Sequence, residues 1–207
     1  MVCQSELPSH NKRLLADAPT LRFGSPQSQA LGDTMTEPQS LQAFKEAARK
    51  LHSAYHLANI GLSQLGESDL LNGRGGQRFY ALKESESGEI ISELPVALLL
   101  QGIKRDGPIS QTIALSILSW IYAAWDHKYR KEIANELGVP TKHVVSDVMG
   151  DLRTIRHYAA HDVGKPHFDP SKLQCFDWIK PGLLILSSSD MDKIQLKINS
   201  MQVRVMS

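Results

Sequence analysis

The chain has 207 residues, a formal net charge of +1, 42% hydrophobic residues and 22% charged ones. That balance fits a folded globular protein and leaves no global basic field to draw in nucleic acid or an anionic membrane, so any such binding must come from a local patch. Its two cysteines, Cys3 and Cys175, are far apart and give no disulfide framework, which fits a reducing, cytoplasmic compartment.

In chain order, residues 1–36 are rich in Ser, Pro, Gln and Gly without periodicity and read as a flexible tail ahead of a domain over 37–207. They lack the apolar core of a signal peptide. Met35 reads as the natural start, with the tail dispensable for folding. From Ser40, a candidate cap, Leu41, Phe44, Ala48, Leu51, Tyr55 and Ala58 recur at threes and fours and predict a helix to about Gly66. "NGRGGQRFYALKESESGE" breaks it. Without a leading strand or a following Lys-Ser/Thr, its glycines read as a loop, not a phosphate cradle. "EIISELPVALLLQGIKRDG" predicts a short helix.

"GPISQTIALSILSWIYAAWDHKYRKEIANELG" predicts the longest helix. Its first half is apolar nearly all round and belongs at the centre of a bundle; it falls short of the roughly 20 residues of a membrane span. Gly138 stops it. Pro140 and Thr141 predict the start of another helix, running to about Gly164. After Pro166, "LQCFDWIKPGLLILSSS" predicts a small hairpin about Pro181-Gly182, and "SDMDKIQLKINSM" a short capped helix. The whole reads as mainly α: an antiparallel helical bundle with a small C-terminal β-hairpin and short helix.

The chemistry concentrates in "DLRTIRHYAAHDVGKP", Asp151 to Pro166. At about 100° per residue, Val144, Val148, Leu152, Ile155, Ala159 and Val163 form a core face. Arg153, His157 and His161 form a stripe at i, i+4, i+8, and Arg156 lies between that stripe and the core. Ala160 among them leaves room for close approach, while Asp147 and Asp151 point elsewhere. A basic solvated face is the ordinary reading of such a stripe. The chemical reading is more specific. Arginine grips phosphate with two parallel hydrogen bonds, and histidine moves protons near neutrality. Together they suit metal-free cleavage of RNA by its own 2′-hydroxyl, which needs a base, an acid and a cation for the charged phosphorane. One helix supplies one such set; a two-fold dimer supplies two.

The run "IRHYAAH" resembles the R-x4–6-H signature of HEPN domains, with Arg156, His157 and His161 at the four-residue gap. "SDVMGDLRTIRHYAAHDVG", "WDHKYRKEIA" and "FDWIKPGLLI" look like one bacterial branch of that family. The resemblance spans about residues 40–200 and is strongest between Trp120 and Leu186. It implies an all-α bundle that dimerises through the motif helices. It also implies a metal-independent endoribonuclease without cofactor, of the kind found in toxin–antitoxin and phage-defence systems, so RNA, a second copy and an antitoxin protein are the partners it points to. Arg156 would then polarise the scissile phosphate, His161 act as general acid/base, and His157 support the pair. Arg153 and Arg130 are weaker candidates for RNA contacts. Trp125 has a stacking reading and a core reading, the core being the commoner. Many members carry Asn where His157 stands. Toxins of one branch carry a modified tyrosine two residues after the motif histidine, where this chain has Val163. Some HEPN domains are non-catalytic dimerisation or RNA-binding modules.

Two metal readings compete. "AAHDVGKP" also looks like the box of HD phosphohydrolases, with His127, His161 and Asp162 as ligands and Asp177 or Asp190 completing the set. Against it, the bulky apolar pair that normally precedes that box is Ala159-Ala160 here, and Arg156 and His157 have no role. His157 and His161 as an i, i+4 zinc pair lack further ligands.

Overall fold

The first helix, α1 (Gln39–Glu67), follows the predicted spacing, and Leu41, Phe44, Ala48 and Tyr55 are buried along one face. Ser40 lies inside its first turn, where its amide and hydroxyl both donate to the Glu136 carboxylate instead of capping the helix. The protein is described by a computed structural model over residues 37–67, 79–83, 86–161 and 167–206. The expected tail over 1–36 lies outside these, and the described residues belong to one compact unit from Thr36 on.

The segment after α1 contains a strand. Phe79–Lys83 (β1) pairs antiparallel with Ile90–Pro95 (β2), and a turn at Gly88, with φ 70°, helps join them. The β-branched and aromatic residues of "RFYALK" and "EII" outweigh the loop reading of the glycines before them. Pro95 then sets off the short helix α2 (Val96–Gly102).

The long central rod is α3 (Pro108–Ala124), a five-residue π-helical stretch (Trp125–Tyr129) and α4 (Arg130–Glu136). Pro108 opens it at a position where a missing N–H costs nothing. Gly138, at φ 66°, closes it in the left-handed conformation that an L side chain resists. Gly138→Ala is expected to lower stability by about 1–2 kcal/mol in urea denaturation. Trp125 is core: its ring meets that of Phe44 edge-on at 5.3 Å, and Tyr129 lies 5.6 Å from the same ring. Each such pair adds about 0.5–1.5 kcal/mol beyond burial. The rod is not enclosed on all sides. Thr112, Ser116 and Trp120 form an exposed strip at i, i+4, i+8, and Trp120 is 61% exposed.

Pro140 and Thr141 do not begin the next helix. They make a 3-10 turn (Thr141–His143) and lead into β3 (Val144–Val145), which pairs with β4 (Arg204–Val205) near the C-terminus. The Val144 carbonyl accepts from Arg130 Nε at 2.8 Å, so this backbone is held by partners no helix would offer it. The motif helix α5 begins only at Asp147 and reaches His161. It runs antiparallel to α3: Arg153 lies level with Trp125 and Arg130, and Ala160 with Thr112–Trp120.

The mainly helical fold with a small hairpin is as expected, but the hairpin is β1–β2. The C-terminal segment expected to form one is irregular, with a single bridge between Phe168 and Gly182. Side chains take the place of a second strand there. Gln111 brackets Leu186, accepting from its amide and donating to its carbonyl, both at 2.7 Å. Asp151 receives the amides of Gln174, Cys175 and Phe176. The last helix, α6 (Ser188–Ser200), is capped from Ser187, just ahead of the stretch expected to carry the cap: Ser187 and Asp190 form a reciprocal capping box. It packs on α1, burying Met191, Ile194 and Ile198.

Candidate functional site

The motif side chains emerge from α5 because its opposite face is fixed. Val148, Leu152, Ile155 and Tyr158 are buried, and the Tyr158 ring meets Phe168 edge-on at 5.1 Å. Asp151, expected to point away from the basic arc, does so and enters the core, only 2% exposed. Its two oxygens accept from three consecutive backbone amides at 2.7–3.1 Å. A ring of peptide N–H groups is the right surrounding for a buried carboxylate, and it locks the rotation of α5 about its own axis.

That rotation leaves Arg153, Arg156, His157 and His161 exposed. Arg156 lies at the seam with α3, its guanidinium carbon 5.3 Å from the centroid of the buried Tyr122 ring. A guanidinium on an aromatic face keeps its edge N–H groups free for a ligand while its orientation is restrained. The rings of His157 and His161 are 4.8 Å apart and tilted by 49°. Among the described residues, no hydrogen bond or ion pair orients either ring. Beside them, Ala159, Ala160, Ser116, Ser119 and Trp120 line a shallow cavity of about 290 Å³. Its small residues permit close approach of another molecule, and the exposed indole offers it a flat apolar face.

Within one chain Arg156 and His161 diverge. Five residues at 100° each set them about 140° apart around the helix. One copy of α5 therefore presents Arg156 and His161 on different sides of the helix.

The other candidate residues separate by location. Arg153 stays exposed at the rim of a cavity of about 140 Å³ shared with Tyr122, Trp125 and Arg130. Arg130 bonds internally, to the Val144 and Lys142 carbonyls and to Asp126 at 3.6 Å. His127 is exposed on the π-helical stretch. The antiparallel register sets it some eleven residues beyond Ser116, about 16 Å along the rod from the level of Ala160 and His161. That separation opposes the HD ligand set; its third member, Asp162, lies outside the described residues, as does Val163. Asp190 is taken by the cap of α6 and Asp177 is exposed.

A second cluster is not apparent from sequence reasoning. His52 and His56 stand one turn apart on α1, and both Nε2 atoms point at Asp192 Oδ1 on α6, at 3.0 and 2.9 Å. The two nitrogens are 3.1 Å apart. Burial, and then the neighbouring His56, holds the His52 pKa below its ordinary value against the opposing pull of Asp192. The signal in the sequence is "HSAYH", two histidines at i, i+4. Its partner stands 136 residues on and is brought in only by packing.

No family model, no curated protein and no solved structure matches this chain.

Proposed function

We propose that the protein is a metal-independent endoribonuclease of the HEPN kind, its active centre assembled when two copies associate through α5 and the neighbouring strip of α3. The observation that carries this reading is the placement of Arg156. It is restrained on the Tyr122 ring, on the same helix as an exposed histidine pair and as Ala159 and Ala160, which wall a shallow cavity with Trp120. Arg156 offers the charge and the hydrogen-bond fork for a scissile phosphate. His161 offers a base for the 2′-hydroxyl or an acid for the leaving 5′-oxygen, and His157 supports it from one turn below. Because one chain splays these groups apart, a partner copy is needed to complete the set, and the exposed Trp120 strip is the face it would cover. A toxin or defence role, with an antitoxin protein as a further partner, follows from the same resemblance.

The second reading is a non-catalytic module that binds RNA or a partner chain through this arc. The absence of any hydrogen bond orienting His157 or His161 among the described residues favours it.

Incubation of the full chain with tRNA, rRNA and mRNA in excess EDTA separates the readings. The expected result is cleavage that survives chelation and leaves 2′,3′-cyclic phosphate ends, by a protein that sediments as a dimer. Activity abolished by EDTA and restored by manganese would move the assignment to metal-dependent hydrolysis. A folded protein that binds these RNAs without cutting any of them would be the module.

A further inference from the structure

The cluster between α1 and α6 uses none of the residues assigned to RNA. His52 and His56 share one face of α1 because four residues bring side chains back to the same side. Tyr55, between them, is wholly buried, with its hydroxyl 3.3 Å from Ser188 Oγ at the start of α6. This contact sets the two helices in register, and Asp192, one turn further along α6, meets the histidines. All three converging atoms are good ligand atoms for a borderline divalent cation.

Their mutual distances of 2.9, 3.0 and 3.1 Å describe a nearly equilateral triangle. The circumradius of such a triangle is about 1.7 Å, whereas Zn–N and Zn–O bonds are about 2.0–2.1 Å. A zinc ion equidistant from the three atoms thus sits about 1.1 Å out of their plane with ligand–metal–ligand angles of about 94°, which open to the tetrahedral value once the three atoms spread to about 3.35 Å apart. Such an ion needs a fourth ligand on the side away from the triangle. His56 and Asp192 also border a cavity of about 260 Å³, with Asn59, Ser63, Arg105 and Ser188 on its walls. It has room for a water or a small anion. Without a cation, two imidazoles crowd their Nε2 atoms onto one carboxylate oxygen, and any N–H dipoles there face each other at 3.1 Å.

We propose that His52, His56 and Asp192 form a binding site for one zinc-class divalent cation, with its fourth position open to the cavity beside Arg105. Bound there, the ion ties α1 to α6, joining the two ends of the described chain. The proposal stands independently of the ribonuclease reading, since His157, His161 and Arg156 take no part in it.

The test uses the full chain without a histidine tag, stripped by a chelator and titrated with zinc by calorimetry and with cobalt by visible absorption. One equivalent is expected to bind, the cobalt form showing the intense visible bands of a tetrahedral centre, and zinc raises Tm by linkage to the native state. His56→Ala and Asp192→Asn, both at partly exposed positions, are expected to fold yet lose more affinity than the ~10–100-fold typical of an outer partner. His157→Ala and His161→Ala are expected to bind as the wild type does. Absence of binding at micromolar zinc would overturn the proposal. So would binding that persists in His56→Ala and Asp192→Asn, or that disappears with His157→Ala, which would transfer the cation to the α5 pair.

Discussion

Replacing Asp151 by alanine is expected to cost about 3–4 kcal/mol, read as a fall in the urea midpoint at unchanged slope. The carboxylate accepts from the Gln174, Cys175 and Phe176 amides, and the last of these has no route to water. Each buried donor left without a partner costs about 1–3 kcal/mol, and relief from desolvating the carboxylate offsets only part of that. For a domain of this size, Tm should fall by about 10 °C. Asp151→Asn keeps one acceptor oxygen but turns an amide N–H₂ toward peptide donors, so a smaller loss of about 1–2 kcal/mol is expected. A loss below about 1 kcal/mol for alanine would mean that the three amides find other acceptors. The consequence reaches the candidate site. Asp151 lies five residues before Arg156 and fixes the turn of α5 that presents it, so the alanine variant should weaken any RNA-directed activity more than its folded fraction explains.

Asp151 also marks where the sequence stops being readable. The helix repeat turns it away from the basic arc but does not show what receives it, because its partners are backbone amides 23–25 residues away that carry no side-chain signature. The helices with strong local signals were legible. The spacing of Leu41, Phe44, Ala48 and Tyr55, the presence of a cap at the start of α6 and the stop at Gly138 all follow from rules that act within a few residues. Pro140-Thr141 misled because a good local start signal was overruled by the pairing of Val144 with Val205, sixty-one positions apart. Likewise the chain bends at Pro181 and Gly182 has φ 114°, but Gln111 and Asp151 bind the flanking backbone that a hairpin would need for its own ladder. The basic arc was legible as a helix face, since Arg153, His157 and His161 need only the 3.6-residue repeat. The seat of Arg156 on Tyr122 was not, since it depends on the register of α3 against α5.

Arg156→Ala and His161→Ala are each expected to lower RNA cleavage by about 10²–10⁴-fold, the range that a positioned acid–base group supplies. Both residues are exposed, so circular dichroism and Tm should stay close to wild type. The arginine carries one further demand: Arg156→Lys keeps the charge but loses the planar fork and its stacking on Tyr122, so it should recover little. Geometry then predicts a result that single variants cannot give. Arg156 and His161 of one copy face about 140° apart, so on the proposed reading a working set draws on both copies. In the proposed dimer, co-refolded Arg156→Ala and His161→Ala chains would give mixed pairs that retain one intact arginine and one intact histidine, on different protomers. Such mixtures should cleave well above either parent, by an amount that tracks the fraction of mixed dimer. If the mixture stays as inactive as its parents while mixed dimers are demonstrably present, the set is completed within a single chain, and the interface along Trp120 and Ala160 has no part in the chemistry.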